Sequence, residues 1–326
     1  MNNTQNDTPT VRRSGDYPGA ASAQQSRGRK RRRGRPDNDP RTVAVLVLPF
    51  LTLFFVFFLV PIGYAIWQSL FALQRSGPLS PPTSVFVGFD NYLTVIADSA
   101  FQQSLLNVLL YGIGPSALTV VMGLAIALLV DSRSNDFLAR LTRTIAFAPY
   151  AVPAVIGAIL WGFLYAPQTS PLVSLASSIG WQLDPLSGPT VWVVGNVAMW
   201  TYIGFNTLIF LSGLASLDPS MLEGAKLDGA SPMRIAWSIK LPLLRPSIVL
   251  SVVFNIIGTL QLFTEPTTLR SISNQITSGW TPNMLAFAEA AANRYNFSAT
   301  ISTLLAVVTA LASFFLLRLA TRTRAS

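Results

Sequence analysis

Six stretches of the chain are almost unbroken runs of apolar residues: 43–66, 105–130, 144–166, 190–214, 247–263 and 299–317. A helix needs about 20 such residues to cross the hydrocarbon core of a bilayer. No Asp, Glu, Lys or Arg lies in mid-run. The pattern predicts an all-α polytopic membrane protein with six transmembrane helices. Pro49 and Pro61 are placed to bend the first helix, and Pro149 and Pro153 to break the third. Membrane helices tolerate prolines where neighbours satisfy the freed carbonyls. The fifth run is somewhat short. The first is too long for a signal-peptide core and lacks a clear small-x-small cleavage site, so it reads as a retained span.

The polar intervals differ from one another. Residues 67–103 read as a loop with a turn at 88–92 and a short interfacial helix. Residues 131–143 form a short charged loop, and 167–189 a loop without Lys or Arg. Residues 264–296 are polar, with a helix over about 284–292. Residues 1–41 are rich in Pro, Gly, Ser and Arg, with too little apolar surface to fold alone. They read as a disordered basic tail ahead of a membrane domain at 42–320 and a terminal segment at 321–326.

Charge placement orients the spans. The tail, the 131–143 loop, residues 217–246 and the C-terminus carry 20 of the 23 Lys and Arg. The positive-inside rule therefore puts both termini and the 217–246 loop in the cytoplasm. The Arg33-Gly34-Arg35-Pro36 run resembles an AT-hook core. A basic run directly before an apolar span is better read as a topology signal that touches anionic lipid. Nucleic acid is not the expected partner.

Composition removes several chemistries. The chain of 326 residues is 51% hydrophobic and 11% charged, against about 25% charged in soluble domains. It has no Cys and no His. A disulfide framework, thiolate chemistry and a Ser-His-Asp triad are excluded, and the commonest metal ligand is missing. No phosphate-cradling G-x-x-x-x-G-K-[ST] and no G-x-S-x-G occurs. The chain is read as no enzyme, and no cofactor or metal is assigned to it.

The charged island at 217–246 has the marks of two short helices around a glycine. Asp218 or Ser220 can cap the first, and Ser220 with Glu223 has capping-box spacing. Gly229 falls where a helix end calls for a positive φ. Ser231-Pro232 opens the second helix, and Leu241-Pro242 with Pro246 would end it. Met221, Leu222, Ala225 and Leu227 offer an apolar docking face.

The order Glu223-Gly224-Ala225, Asp228-Gly229-Ala230-Ser231, Ile239 and Leu241-Pro242 resembles the EAA loop of ABC importer permeases, most closely the carbohydrate-uptake branch. Gly224 departs from the usual alanine, and Trp237 from the usual Phe. Leu59-Val60-Pro61, Val87 to Tyr92 and Ala148 to Pro153 extend the resemblance in the same order, so that it covers roughly residues 43–320. It implies a type I importer permease fold in a bacterial-type plasma membrane. It implies a second permease, two ATPase subunits holding ATP-Mg, and an extracytoplasmic solute-binding protein. Glu223, Gly224, Ala225, Asp228, Gly229, Leu241 and Pro242 would then carry coupling to the ATPase. The substrate would be a di- or oligosaccharide, with glycerol phosphate or a polyol as the nearest alternative.

Polar groups within spans are the candidates for a solute pathway: Asn196, Trp200, Tyr202 and Asn206 in the fourth, and Asn255, Thr259 and Gln261 in the fifth. Amides bind hydroxyls, and aromatic faces cover the apolar side of a sugar ring. The same residues equally serve as hydrogen-bonding links between helices. Glu265 stands at the end of the fifth span, where a solvated helix end is an equal reading. A self-contained secondary transporter needs ionisable groups at mid-membrane, and the spans hold none.

Overall fold

The computed structural model describes residues 40–74, 81, 83–132, 137–167 and 169–322. The basic tail lies outside the described residues except at its last two positions, which are already helical. Of the terminal segment, 321 and 322 are helical and 323–326 lie outside. The described residues up to Phe55 belong to one unit, and Val56 begins a second. In the first, α1 (Pro40–Phe54) contains Pro49. Its described side chains are all exposed, as suits a helix that faces lipid or another chain.

In the second unit, α2 (Val60–Ser69) packs on α16 (Tyr295–Arg322). Between α2 and α3 (Asp90–Ala97) lies an antiparallel hairpin of β1 (Phe71–Gln74) and β2 (Thr83–Phe86), with Phe71 opposite Phe86. This ribbon was not expected in a helical chain. Two side-chain amides hold it in place. Asn91 Nδ2 donates to the carbonyls of Ser69 (2.7 Å) and Phe71 (2.8 Å), and Asn296 Nδ2 to those of Gln68 (3.1 Å) and Phe71 (2.7 Å).

The second span, Ser99–Ser132, starts earlier than its apolar run because Asp98 caps α4 (Ser99–Tyr111) through the Phe101 amide at 2.9 Å. A π turn at Gly112–Ser116 takes up Pro115 before α5 (Ala117–Ser132). The wider turn removes the need for the amide that proline lacks. The third span is not one helix. α6 (Phe137–Phe147) and α7 (Ala154–Tyr165) flank a 3-10 turn at Ala148–Ala151, and the two halves are bent by 102°. Pro149 and Pro153 lie at this break.

α8 (Pro171–Ser178) occupies the interval without basic residues. The 26-residue α9 (Thr190–Ala215) is the central element, flanked by α5, α6 and α7. A Cβ at Gly204 would stand 2.2 Å from the Ala146 carbonyl oxygen, so only glycine lets α9 approach the end of α6. Beyond the 217–246 loop follow α13 (Arg245–Leu260) and α14 (Thr264–Leu269). Together they make a span of 25 residues, longer than its apolar run. α15 (Pro282–Ala291) precedes the last span. Among the described residues five helices are long and apolar enough to cross a membrane, and the bent pair makes six if counted as one span.

Candidate functional site

The 217–246 loop is organised by near neighbours in sequence. Asp218 accepts from the Ser220 amide at 2.9 Å and caps α10 (Pro219–Leu227). That bond holds its carboxyl below the ordinary 3.8. Ser220 already lies inside the helix, so Asp218 takes the capping position and not Ser220. Gly229 has φ +77°, and its amide bonds the Lys226 carbonyl at 3.0 Å while the Ala230 amide bonds that of Ala225 at 3.0 Å. Ser231 Oγ accepts from the Arg234 amide at 3.3 Å and caps α11 (Pro232–Ile235).

The helical path does not stop at Leu241-Pro242. A π turn at Ala236–Lys240 leads into α12 (Leu241–Leu243) and on to α13. The wide turn accommodates Pro242, as at Pro115. The second half of the loop is anchored. Ile235 and Leu244 are buried, and Lys240 Nζ meets Asp131 Oδ2 of α5 at 2.5 Å. The first half is not. No residue of α10 is buried, and Leu227 is 89% exposed. Glu223 and Asp228 are exposed, with Gly224 and Ala225 half-buried.

The second candidate site is a cavity of about 370 Å³ among α4, α9, α13, α14 and the break in the third span. Tyr202, Asn206, Asn255, Thr259 and Gln261, all expected from sequence, line it together. A continuous polar chain runs along one wall. Asn206 Oδ1 accepts from Asn255 Nδ2 at 2.8 Å and from Ser251 Oγ. Thr259 Oγ1 lies 3.1 Å from Ser116 Oγ, which reaches Asn255 Oδ1 at 3.5 Å. Asn206 is wholly buried, so its amide needs these partners.

Asn196 and Trp200 do not line this cavity. Asn196 Nδ2 donates to the Tyr165 hydroxyl at 2.8 Å, and Trp200 packs edge-on against Trp161 at 6.2 Å between ring centres. Both face the α7 side of α9, where they serve helix packing.

Sequence reasoning missed the aromatic half of the wall. The break at Pro149 and Pro153 places Tyr150 in the cavity lining, stacked on Phe205 at 5.2 Å. Phe205 in turn meets Phe254 edge-on at 5.8 Å, and Tyr111 completes the aromatic set. The signal for Tyr150 was its position between the two prolines; Phe205 and Phe254 carried none. Glu265 is also corrected. It is 4% exposed and lines the cavity, and so is no solvated helix end. Stacked rings beside amides, hydroxyls and one carboxylate can bind a polyhydroxylated ring.

Residues 119–325 match the profile of the family described as binding-protein-dependent transport system inner membrane component. Curated relatives include the sn-glycerol-3-phosphate transport system permease protein UgpA of Yersinia pestis, 33% identical over 217 residues, with 65% of this chain and 71% of the relative covered. The UgpA protein of Escherichia coli O6:K15:H31 (strain 536 / UPEC) is 30% identical over 215 residues, at 65% and 71% coverage. Among solved structures, a bacterial ABC transporter involved in the import of the acidic polysaccharide alginate superposes with a TM-score of 0.72. It is 21% identical, covering 86% of this chain and 96% of that one. The alginate transporter in complex with its alginate pentasaccharide-bound periplasmic protein gives 0.73 at 20% identity, over 87% and 95%.

Proposed function

The chain belongs to the binding-protein-dependent transport system inner membrane components, the permeases of ABC importers, and on that premise we propose a division of labour between its two sites. The cavity forms part of the pathway for a sugar-type solute, and the 217–246 loop couples it to a separate ATPase. One observation carries this reading: the same chain holds a polar and aromatic cavity within its spans and a capped helix, α10, with no buried residue. A helix that buries nothing in its own chain is suited to a partner's cleft.

On this reading both termini and the loop lie in the cytoplasm, and the Lys and Arg distribution supports that orientation. A second permease completes the pathway, two ATPase subunits hold ATP-Mg below it, and a solute-binding protein delivers the solute from above. Glu223, Gly224, Ala225, Asp228 and Gly229 present the docking surface. Leu241 and Pro242 join it to the span that lines the cavity. When the ATPase dimer closes, displacement of α10 reaches α5 through the Lys240–Asp131 pair and reaches α13 along the continuous helical path. A second reading, import of sn-glycerol 3-phosphate, is favoured by the identity with UgpA.

The test is purification from a native membrane in mild detergent, followed by reconstitution. A stoichiometric ATPase and second permease with ATP-dependent uptake are expected. Transport by the chain alone without ATP would overturn the proposal.

A further inference from the structure

If the cavity is part of the solute pathway, the reading on which this inference rests, the charge of its wall bears on the class of solute. Glu265 lies in α14, where the α13–α14 span ends, and lines the cavity beside Tyr111, Tyr202 and Gln261. Among the described residues two ion pairs occur, Lys240–Asp131 and Arg294–Glu289, and Glu265 belongs to neither. No described Lys or Arg lines the cavity. Residues 99–132, 144–225 and 246–269 supply every lining residue, and no basic residue occurs anywhere in them. The next cation along the chain, Arg270, lines a different cavity of about 310 Å³ with Phe263, Thr267 and Phe287.

A solute with a phosphate or carboxylate would therefore approach a carboxylate that no nearby cation offsets. Repulsion between like charges is strong where water is scarce, and the anion would also lose its hydration. Sugar hydroxyls meet the opposite situation. A carboxylate is a pure acceptor with two oxygens, and its hydrogen bonds are charge-assisted and geometrically selective. The amides of Asn255 and Gln261 and the ring of Tyr202 surround the same space.

We infer that Glu265 is a specificity-determining residue that bars anions from the pathway. The solute passing this wall is then an uncharged sugar whose hydroxyls donate to its carboxylate. The chain would thus differ in substrate charge from the glycerol-phosphate permeases it resembles in sequence.

The test uses the full complex of both permeases, ATPase and binding protein in proteoliposomes. Labelled trehalose, maltose and cellobiose are compared with sn-glycerol 3-phosphate and a mannuronate disaccharide. ATP-dependent uptake of at least one neutral sugar and of neither anion is expected. Glu265→Gln should lower neutral-sugar uptake by about tenfold, mainly through KM, and Glu265→Asp should retain most of it. ATP-dependent uptake of either anion overturns the inference and leaves the importer reading standing. Wild-type kinetics in Glu265→Gln overturn it equally. Should Glu265→Gln fail to assemble, the anion measurement on the wild-type complex decides alone. Absence of ATP-dependent uptake for the whole panel removes the reading of the cavity as a sugar pathway, and the inference falls with it.

Discussion

Between residues 217 and 246 most structural roles are filled by a neighbour a few positions away, whereas the cavity draws its lining from Tyr111 at one extreme to Glu265 at the other. Asp218 caps through Ser220, Gly229 turns the chain, and Ser231 caps through Arg234. Such contacts are made within one or two helical turns, so the residue order alone implies them. The cavity wall instead depends on Asn206 meeting Ser251 and Asn255 from another helix, and on Ser116 meeting Thr259. A locally encoded element keeps its shape when its surroundings move, which suits a docking lever. A wall assembled from separate helices changes when they move relative to one another, which suits a gated pathway.

Four measurements break or sharpen that contrast. The largest effect is expected at Gly229, where nothing crowds the α-carbon but φ is +77°. A β-branched residue is strongly disfavoured there. Gly229→Val should abolish ATP-driven uptake while leaving membrane insertion intact, and Gly229→Asn should retain activity. Uptake assays with protease mapping of the loop would show it; equal activity of the two variants would place the coupling elsewhere.

Next in size is Asn206→Ala. It leaves the Ser251 hydroxyl and an Asn255 amide proton without their acceptor in a buried setting. A loss of about 2–3 kcal/mol is expected, read as lowered thermal stability in detergent together with reduced uptake. Unchanged stability would mean that water replaces the amide. The Lys240–Asp131 pair comes third, since it is partly exposed. Breaking it with Lys240→Ala should cost about 1 kcal/mol. It should also lower solute moved per ATP hydrolysed, and the double exchange Lys240→Asp with Asp131→Lys should restore part of that ratio. The smallest effect is at Asp218. Its carboxyl sits below 3.8 when folded, so the cap contributes stability above that value and loses it as pH falls through the lower folded value. Spin-label mobility on α10 should rise over that acid range in the wild type but not in Asp218→Asn.

How much was legible in the sequence divides along the same line. Run lengths predicted the spans, but helix ends moved where a cap or a polar turn extended them, as Asp98 does for α4. Pro149 and Pro153 announced a break but not its 102° bend. That angle depends on what α6 and α7 pack against. Helical spacing gathered Asn196 and Trp200 with the pathway candidates, yet the structure turns them toward Tyr165 and Trp161. The β-hairpin escaped notice because it is held by Asn91 and Asn296, the latter more than 200 positions away.

The residue order by itself determined the membrane class, the number of candidate crossings, the charge asymmetry and the capped loop. These depend on hydrophobicity summed over a window, or on bonds between close neighbours. Only the tertiary structure decided which polar residues share a wall, that Tyr150 and Phe205 stack across it, and that Glu265 is buried within it. The reason is that α9 buries residues around much of its circumference, from Val193 and Val194 to Asn206 and Thr207. On such a helix periodicity cannot say which side faces a cavity; that is fixed by the partners packed around it.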